Sequence, residues 1–385
     1  GVFAWSNEAE ITTPGAPTPS VLTAVAGATE VALSWTSCPD EDFSRYTLYR
    51  SYVAGIAGDT LSAENLGVFT DPGVLAFNDS TLTQTTAYYA LRTTNAAGLS
   101  SWSNEETAVL RGCTIIAWGH NGSGQCTVPY PNTGFTAVAG GLQHSLGLRD
   151  DGSIAAWGWN EHGQCNVPYP NSGFVAVAGG FGHSLGLRDD GSIAAWGSND
   201  DGQCNVPSPN SGFIAVAAGV DHSLGLRDDG SIAAWGWNEH GQCNVPYPNS
   251  GFVAVAGGFG HSLGLRDDGS IAAWGSNDDG QCNVPSPNSG FIAVAAGVDH
   301  SLGLRDDGSI VAWGWNEYGQ CDVPSPNTGF IAIAAGGFHS LGLRDDDSIV
   351  AWGNNTYGQC MVPSPNSSFT AVAAGGYHSF GLKEE

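Results

Sequence analysis

The sequence predicts an all-β protein in two parts, a small β-sandwich followed by a seven-bladed β-propeller closed by pairing of residues 113–119 with 378–383. Three observations predict it. A 39-residue unit recurs seven times, without insertion or deletion, between Cys113 and Glu385. Within each unit, apolar runs of strand length are punctuated by Gly, Asp and Pro, and no helical period appears. The last copy stops at Lys383, short of the Ile-x-Ala-Trp-Gly run that the other copies contain, and the first copy opens on that missing run, Cys113–Gly119. A fixed period of this size built from short strands marks a repeat architecture in which each unit buries its apolar face against the next.

Residues 12–111 read differently. Runs at 20–25, 30–35, 45–50, 66–70, 87–93 and 106–110 alternate apolar and polar positions between Pro, Gly, Asp and Asn clusters, the pattern of a small all-β sandwich. Trp35 on an early strand, Arg45-Tyr-Thr-Leu-Tyr-Arg50, and Tyr88-Tyr89 ahead of Asn95-Ala-Ala-Gly-Leu-Ser100 resemble a fibronectin type III domain. Gly1-Val-Phe-Ala-Trp-Ser-Asn-Glu8 aligns with Gly98-Leu-Ser-Ser-Trp-Ser-Asn-Glu105. Residues 1–11 therefore read as the last strand of a preceding domain of the same kind, or as a free connector strand that pairs with another subunit's sheet edge. The expected organisation is 1–11, then 12–111, then the propeller over 112–385.

In the second repeat, Phe174–Ala178 reads as a buried strand and His183–Arg188 as the next. Asp189-Asp190-Gly191 is a tight turn, Ser192–Gly197 returns, and Gly202–Pro207 forms a short outer segment. Asp and Gly suit such hairpin turns because both tolerate positive φ. Three or four antiparallel strands make a blade. The pattern Ala-Trp-Gly-x-Asn-x-x-Gly-Gln-Cys-x-Val-Pro, then Gly-x-x-His-Ser-Leu-Gly-Leu-Arg-Asp-Asp-Gly, resembles repeats of the regulator of chromosome condensation type, and among them the secreted bacterial propellers that inhibit β-lactamases. The resemblance implies a seven-bladed propeller and, from the inhibitors, a partner protein contacted by loops on one face.

Chemistry is sought in what the copies share and where they differ. His144, His183, His222, His261, His300, His339 and His378 recur in register. A catalytic site needs an asymmetric constellation, so a sevenfold histidine reads as a structural hydrogen-bonding group. Cys126, Cys165, Cys204, Cys243, Cys282, Cys321 and Cys360 read as small buried hydrophobes with no compact zinc spacing, and their spread over seven blades is too wide for disulfides. Cys38 and Cys113 are left over, and a bridge between them is open. The Asp-Asp-Gly turns read as solvated turns, with calcium bridging the sharper alternative; otherwise no cofactor and no metal site is expected. The copies differ just before the histidine and just after Trp-Gly, at loop tips where contacts are made. The candidate partner-binding residues are Trp159, Trp237, Trp315, Phe181, Phe259, Phe338 and Tyr377, since aromatics anchor interfaces and also stack on sugar rings.

Net charge is −26, with a single lysine, Lys383. That charge excludes a basic, phosphate-neutralising surface, hence nucleic acid or an anionic membrane as partner, and no run of 18 apolar residues could insert into a membrane. Residues 152–229 and 230–307 are identical, so two sectors of the ring offer one surface twice, which suits a repetitive ligand. The expected function is a non-enzymatic extracellular or cell-surface binding and adhesion module of bacterial type, its loops recognising a protein or glycan partner. The alternatives are a structural subunit of an extracellular filament or surface assembly, self-assembling through residues 1–11, and a secreted protein inhibitor.

Overall fold

The computed structural model describes residue 17 and residues 19–26, 31–40, 43–51, 63–79, 86–109 and 113–384. They fall into two compact units that divide between residues 111 and 112. Residues 1–11, read above as a domain remnant or connector strand, lie outside the described residues. No helix among the described residues is long and apolar enough to cross a membrane.

The first unit has strands β1 (Leu22–Ala26), β2 (Val31–Trp35), β3 (Phe43–Ser51), β4 (Glu64–Phe69), β5 (Ala76–Asp79), β6 (Thr86–Asn95) and β7 (Ser100–Val109). They form two antiparallel sheets, ordered β1-β2-β5 and β4-β3-β6-β7. The sheets share one core, to which the first gives Leu22, Leu33 and Trp35 and the second Tyr46, Leu48, Tyr89 and Leu91. Alternation puts these side chains on one face of each strand. Two features escape the hydrophobic pattern. Strand β5 is short and ends Asn-Asp, and β7 begins at Ser100, six residues before its apolar-looking end, because Ser100 and Ser101 pair with Thr94 and Thr93 across a tight turn.

The second unit is a run of seven three-stranded antiparallel sheets. Strand β8 (Thr114–Gly119) stands first; β9 (Phe135–Gly140), β10 (His144–Arg149) and β11 (Ile154–Gly158) form a sheet, and that pattern recurs through to β27 (Phe369–Ala374) and β28 (His378–Lys383). The seventh sheet is composite: β28 pairs with β8 in a register from Thr114↔Lys383 to Gly119↔His378. Strand β28 thereby takes its third strand from the opposite end of the unit. Leu185, Leu187 and Ile193 of one sheet pack on Phe213 and Trp235 of the next. Burial is thus shared between neighbouring sheets rather than held within any one.

The blades have three strands, with no fourth. Beyond the Trp-Gly strand the chain makes turns, and an asparagine does the work of an outer strand. Ile193 donates its N–H to Asn210 Oδ1 at 2.8 Å and accepts from Asn210 Nδ2 at 2.9 Å. This two-point clamp satisfies the edge peptide, which a buried backbone demands. Beside it, Arg188 stacks its guanidinium 4.9 Å from the Phe174 ring centroid and donates to the carbonyl of Pro170. The same stack recurs in every sheet, with Lys383 over Phe369 in the last.

Two turns depart from the glycine that other copies use. Asp347 and Ser368 both have φ near 63°, and Phe369 donates to the Asp347 carbonyl at 3.2 Å. A β-carbon in the left-handed region is strained, less so for Asp than for most residues. Replacing both by glycine, Asp347→Gly with Ser368→Gly, should raise stability by about 1 kcal/mol, read as a higher urea midpoint. An unchanged or lower midpoint would show that these turns are relaxed as they stand.

Candidate functional site

Each sheet has two ends. At one lie the Asp-Asp-Gly hairpins; at the other lie the loops before each repeat histidine and after each Trp-Gly. These latter loops are tied together, as Trp159 donates its N–H to the Gln143 carbonyl at 2.9 Å and Ser198 to the Gly182 carbonyl at 2.8 Å. Both sets of variable positions singled out in the sequence therefore occupy one end, the histidine end.

The histidines themselves lie beneath it, fully buried. His144 Nε2 meets Ser184 Oγ of the next sheet at 2.9 Å, and the contact repeats from sheet to sheet up to His339–Ser379 at 2.8 Å. His378 then meets Ser145 of the first sheet at 3.2 Å. Each serine hydroxyl also donates to a glutamine carbonyl, Ser184 to Gln164 at 2.9 Å, for example. With its proton so committed, the serine can only accept from the imidazole, so Nε2 carries hydrogen and Nδ1 is bare. Nδ1 of all seven has no hydrogen-bond partner. Burial pushes their pKa down to about 3 for His144 and about 4 for His183, because a second N–H and a charge would have nowhere to go. These are structural groups.

The repeat cysteines are partly buried and do more than fill space. Cys204 N–H takes Asn199 Oδ1 at 2.8 Å, and its Sγ donates to the Ser198 carbonyl at 3.1 Å. Buried Cys113 and the seven repeat cysteines form no disulfide, so the bridge between Cys38 and Cys113 that the sequence left open is not made. Burial pushes the Cys204 thiol up to about 11, and its six counterparts likewise. Thiolate is the reactive species, so labelling of these thiols at mild alkaline pH should run roughly a hundredfold slower in the folded protein than in urea. Equal rates would mean that the thiols are open to solvent. At the opposite end, the second aspartate of each turn is engaged locally; Ser192 donates its N–H to Asp190 Oδ1 at 2.9 Å. No group of three or more His, Cys, Asp or Glu side chains among the described residues converges as a metal ion would need.

The aromatic candidates gather into three groups. Trp159 meets Phe181 edge-on at 5.9 Å, and Trp237 meets Phe259 at 5.6 Å. His162 and His240 join these pairs at 5.0 and 4.9 Å. The third group is larger and has no counterpart elsewhere in the unit. Trp315 contacts Tyr318 and Phe338, Phe338 contacts Tyr377, Tyr377 contacts Tyr357, and Tyr357 contacts His120, with centroids 4.6–5.5 Å apart along the first, second, third and last of these links and 5.6 Å for the fourth. Six rings make one arc over the loops of three neighbouring sheets, in which Tyr318 and Tyr357 are half exposed. Tyr318, Tyr357, His162 and His240 were absent from the sequence candidates. Their signal was legible: each stands three residues after the variable position that follows Trp-Gly, where other copies carry Ser123, Asp201 or Asp279.

Between the aromatic groups the same end is acidic. Asp200 and Asp201 are exposed beside half-buried Asp221, whose pKa is raised by burial and by the Asp201 and Asp200 charges; Asp278, Asp279 and Asp299 repeat the arrangement. The arginines of the repeats, and Lys383, stand in the Phe stacks at the other end. The first strands of all seven sheets line a cavity of about 420 Å³. Its walls are Val, Ile, Ala and Gly, with Leu142, Phe181 and Phe259 completing the lining.

Six stretches, residues 135–164, 174–203, 213–242, 252–281, 291–320 and 330–359, match the model of the Regulator of chromosome condensation (RCC1) repeat. Among solved structures, the unit is similar to Prp20p of Saccharomyces cerevisiae, at 18% identity and a TM-score of 0.61 over 71% of this chain and 92% of that one. It is similar also to human WBSCR16, at 18% identity and a TM-score of 0.58 over 71% and 99%. A third similar structure is the ectodomain of the Physcomitrella patens receptor kinase CR4, at 26% identity and a TM-score of 0.54 over 65% and 70%. No curated protein matches. The repeats of this chain are of the RCC1 type, and their sheets form a propeller.

Proposed function

We propose that this chain, with its RCC1-type repeats, is a non-enzymatic binding module that docks a protein partner on the histidine end of a closed seven-bladed ring. The observation that carries the reading is the arc from Trp315 to His120. Half-exposed tyrosines braced edge-on by other rings offer large, rigid contact area at small entropic cost, which is what interface anchors require. The partner's contact surface is basic, because carboxylates flank the arc and no lysine or arginine of the repeats shares that end. A protein partner is in keeping with Prp20p, whose structure is described together with its binding to Gsp1p and histones. Support for the closed ring comes from the β8–β28 pairing and the His378–Ser145 contact. The absence of catalysis is supported by the cavity, whose lining holds no titratable side chain, and by the structural duty of the histidines.

The first unit, with Trp35 and Tyr46 in one core between a three-stranded and a four-stranded sheet, reads as a fibronectin type III spacer over 12–111. It would present the propeller, 112–385, outside the cell or at its surface. The test transplants the pattern of repeat 191–229 into the arc, as Trp315→Ser with Phe338→Asp, the residues found at Ser198 and Asp221. A photo-crosslinker placed at Tyr357 should capture a defined protein from the native source, and the paired substitution should abolish that capture. An unchanged set of captured proteins overturns the reading.

A further inference from the structure

A second recognition feature lies away from the arc and does not depend on it. Seven glutamines occupy one position in the repeats and all are fully buried. Each accepts a backbone N–H two residues before it, as Gln164 Oε1 does from His162 at 3.0 Å. Their amide donors divide into two classes. Gln125 Nε2 meets His120 Nδ1 at 2.7 Å and Gln359 Nε2 meets Asn354 Oδ1 at 3.0 Å. Gln203 and Gln281 reach Asp221 and Asp299 at 3.3 and 3.2 Å. In the other three sheets the position five before the glutamine is tryptophan, and the position eighteen after it is Gly182, Gly260 or Phe338. Nothing there can accept, and Nε2 of Gln164, Gln242 and Gln320 is buried without a partner. A buried donor left unpaired is destabilising, and native structures rarely keep one without a use for it.

At two of the three, the surroundings say what would complete it. By equivalence with Gln203, the Gln164 amide is directed at the gap between Trp159 and Gly182. Trp159, His162 and Phe181 wall that gap, the imidazole and the phenyl ring each perpendicular to the indole. From the next repeat come Asp200, Asp201 and Asp221, with His162 near Asp221 and no arginine or lysine among the groups that shift it. The site thus offers a flat apolar wall, one orphaned donor and several free acceptors. An anionic ligand would satisfy the amide but be repelled by the carboxylates. A basic side chain would satisfy the carboxylates but leave the amide bare. A sugar ring meets all three: its C–H face lies on the indole, one hydroxyl oxygen accepts from Nε2, and other hydroxyls donate to the carboxylates. Gln320 lacks this acidic neighbour, since Asn354, Thr356 and Tyr357 follow in the next sheet.

We infer that the propeller carries two identical subsites for a neutral polysaccharide, one at Trp159, Phe181 and Gln164 and the other at Trp237, Phe259 and Gln242. The identity of residues 152–229 and 230–307 makes the two sites the same. A polymer that reaches both binds more tightly than a short oligosaccharide by roughly a hundredfold or more. Because Nε2 is sealed in the free protein, the indole must shift for a hydroxyl to enter, so binding changes tryptophan fluorescence.

The test titrates the full chain with the neutral hexasaccharides of cellulose, starch, β-1,3-glucan and mannan, and with the parent polymers. One series should give a saturable fluorescence change with two equivalent sites per chain. The variants borrow from the chain's own repeats. Trp159→Ser with Trp237→Ser removes the wall, and Gly182→Asp with Gly260→Asp supplies the orphaned amides with the acceptor that Gln203 and Gln281 already have. The aspartate pair should raise the unfolding temperature of the free protein and abolish saccharide binding, while Trp315→Ser with Phe338→Asp leaves that binding intact. No saturable change with any of the four series overturns the inference, as does binding that survives the aspartate pair. Neither result bears on the protein partner at the arc, which the crosslinking reads separately.

Discussion

The propeller unit should lose stability steeply as the pH falls from about 6.5 towards 4, taking up close to seven protons when it unfolds. The cause is the set of seven buried histidines, one in each sheet. Their folded-state pKa is pushed down to about 3 in His144, His222, His261, His300 and His378 and to about 4 in His183 and His339, from an ordinary value of 6.5. Below 6.5 the unfolded chain binds these protons and the folded one does not, so acid favours unfolding. Each histidine contributes about 1.4 kcal/mol per pH unit, and seven together roughly 10 kcal/mol per unit once the unfolded imidazoles are fully charged. Asp150, Asp221 and Asp299, whose pKa values are raised, chiefly by burial, act in the opposite sense, but they are three groups against seven. Urea unfolding at a series of pH values gives the slope directly. A stability that is flat between pH 6.5 and 5 would mean that the imidazoles are solvated and the relay is not as described.

Gly258→Ala should be among the most damaging small substitutions in the unit, costing about 3 kcal/mol or more. The reason is contact, since φ at this glycine is not in the left-handed region. An alanine β-carbon here would lie 2.2 Å from His261 Cε1, 2.4 Å from its Nδ1 and 2.6 Å from the Gly297 carbonyl oxygen of the next sheet. None of these can move cheaply: the imidazole is fixed by Ser301, and the carbonyl belongs to the neighbouring backbone. Two residues on, a β-carbon at Gly260 would meet His240 Cδ2 and Ser276 Cβ at 3.2 Å, and His240 is an exposed ring free to turn. Gly260→Ala should therefore cost less than about 1 kcal/mol. Urea midpoints of the two variants decide the matter, and equal losses would show that packing against the histidine ring is looser than the distances imply.

Much of this was legible in the residues, and what was not has a common cause. The repeat period placed the strands, the hairpin turns and the pairing partners of 114–119, because period and turn chemistry are local. The histidines read correctly as structural from their number alone. Their partner serines were not identified, although each follows a histidine directly in sequence, because the contact is to the serine of the next sheet. The glutamine carbonyl that accepts from both Trp157 Nε1 and Ser145 Oγ is invisible in sequence for the same reason, since Gln125 looks like a polar loop residue and is in fact fully buried. The sequence left three or four strands per blade open, and the asparagine clamp that stands in place of a fourth was not foreseen because a side chain mimicking a backbone partner leaves no periodic trace. Trp315, Phe338 and Tyr377 were picked out singly, yet only the fold brings Tyr357 and His120 into line with them. Strand β7 was half missed because serine and threonine pairs stabilise a ladder without a hydrophobic signature.

The composite seventh sheet sets an order of events during protein synthesis. Strand 114–119 leaves the ribosome first, and its hydrogen-bonding partner, 378–383, is made more than two hundred residues later. Until then Ile115 and Trp118, buried in the finished unit, belong to a strand without its ladder, and six sheets can assemble while the seventh waits. The emerging chain therefore passes through a long interval with an unmatched edge at each end of the array. That edge is the natural place for a chaperone, or a neighbouring nascent chain, to bind.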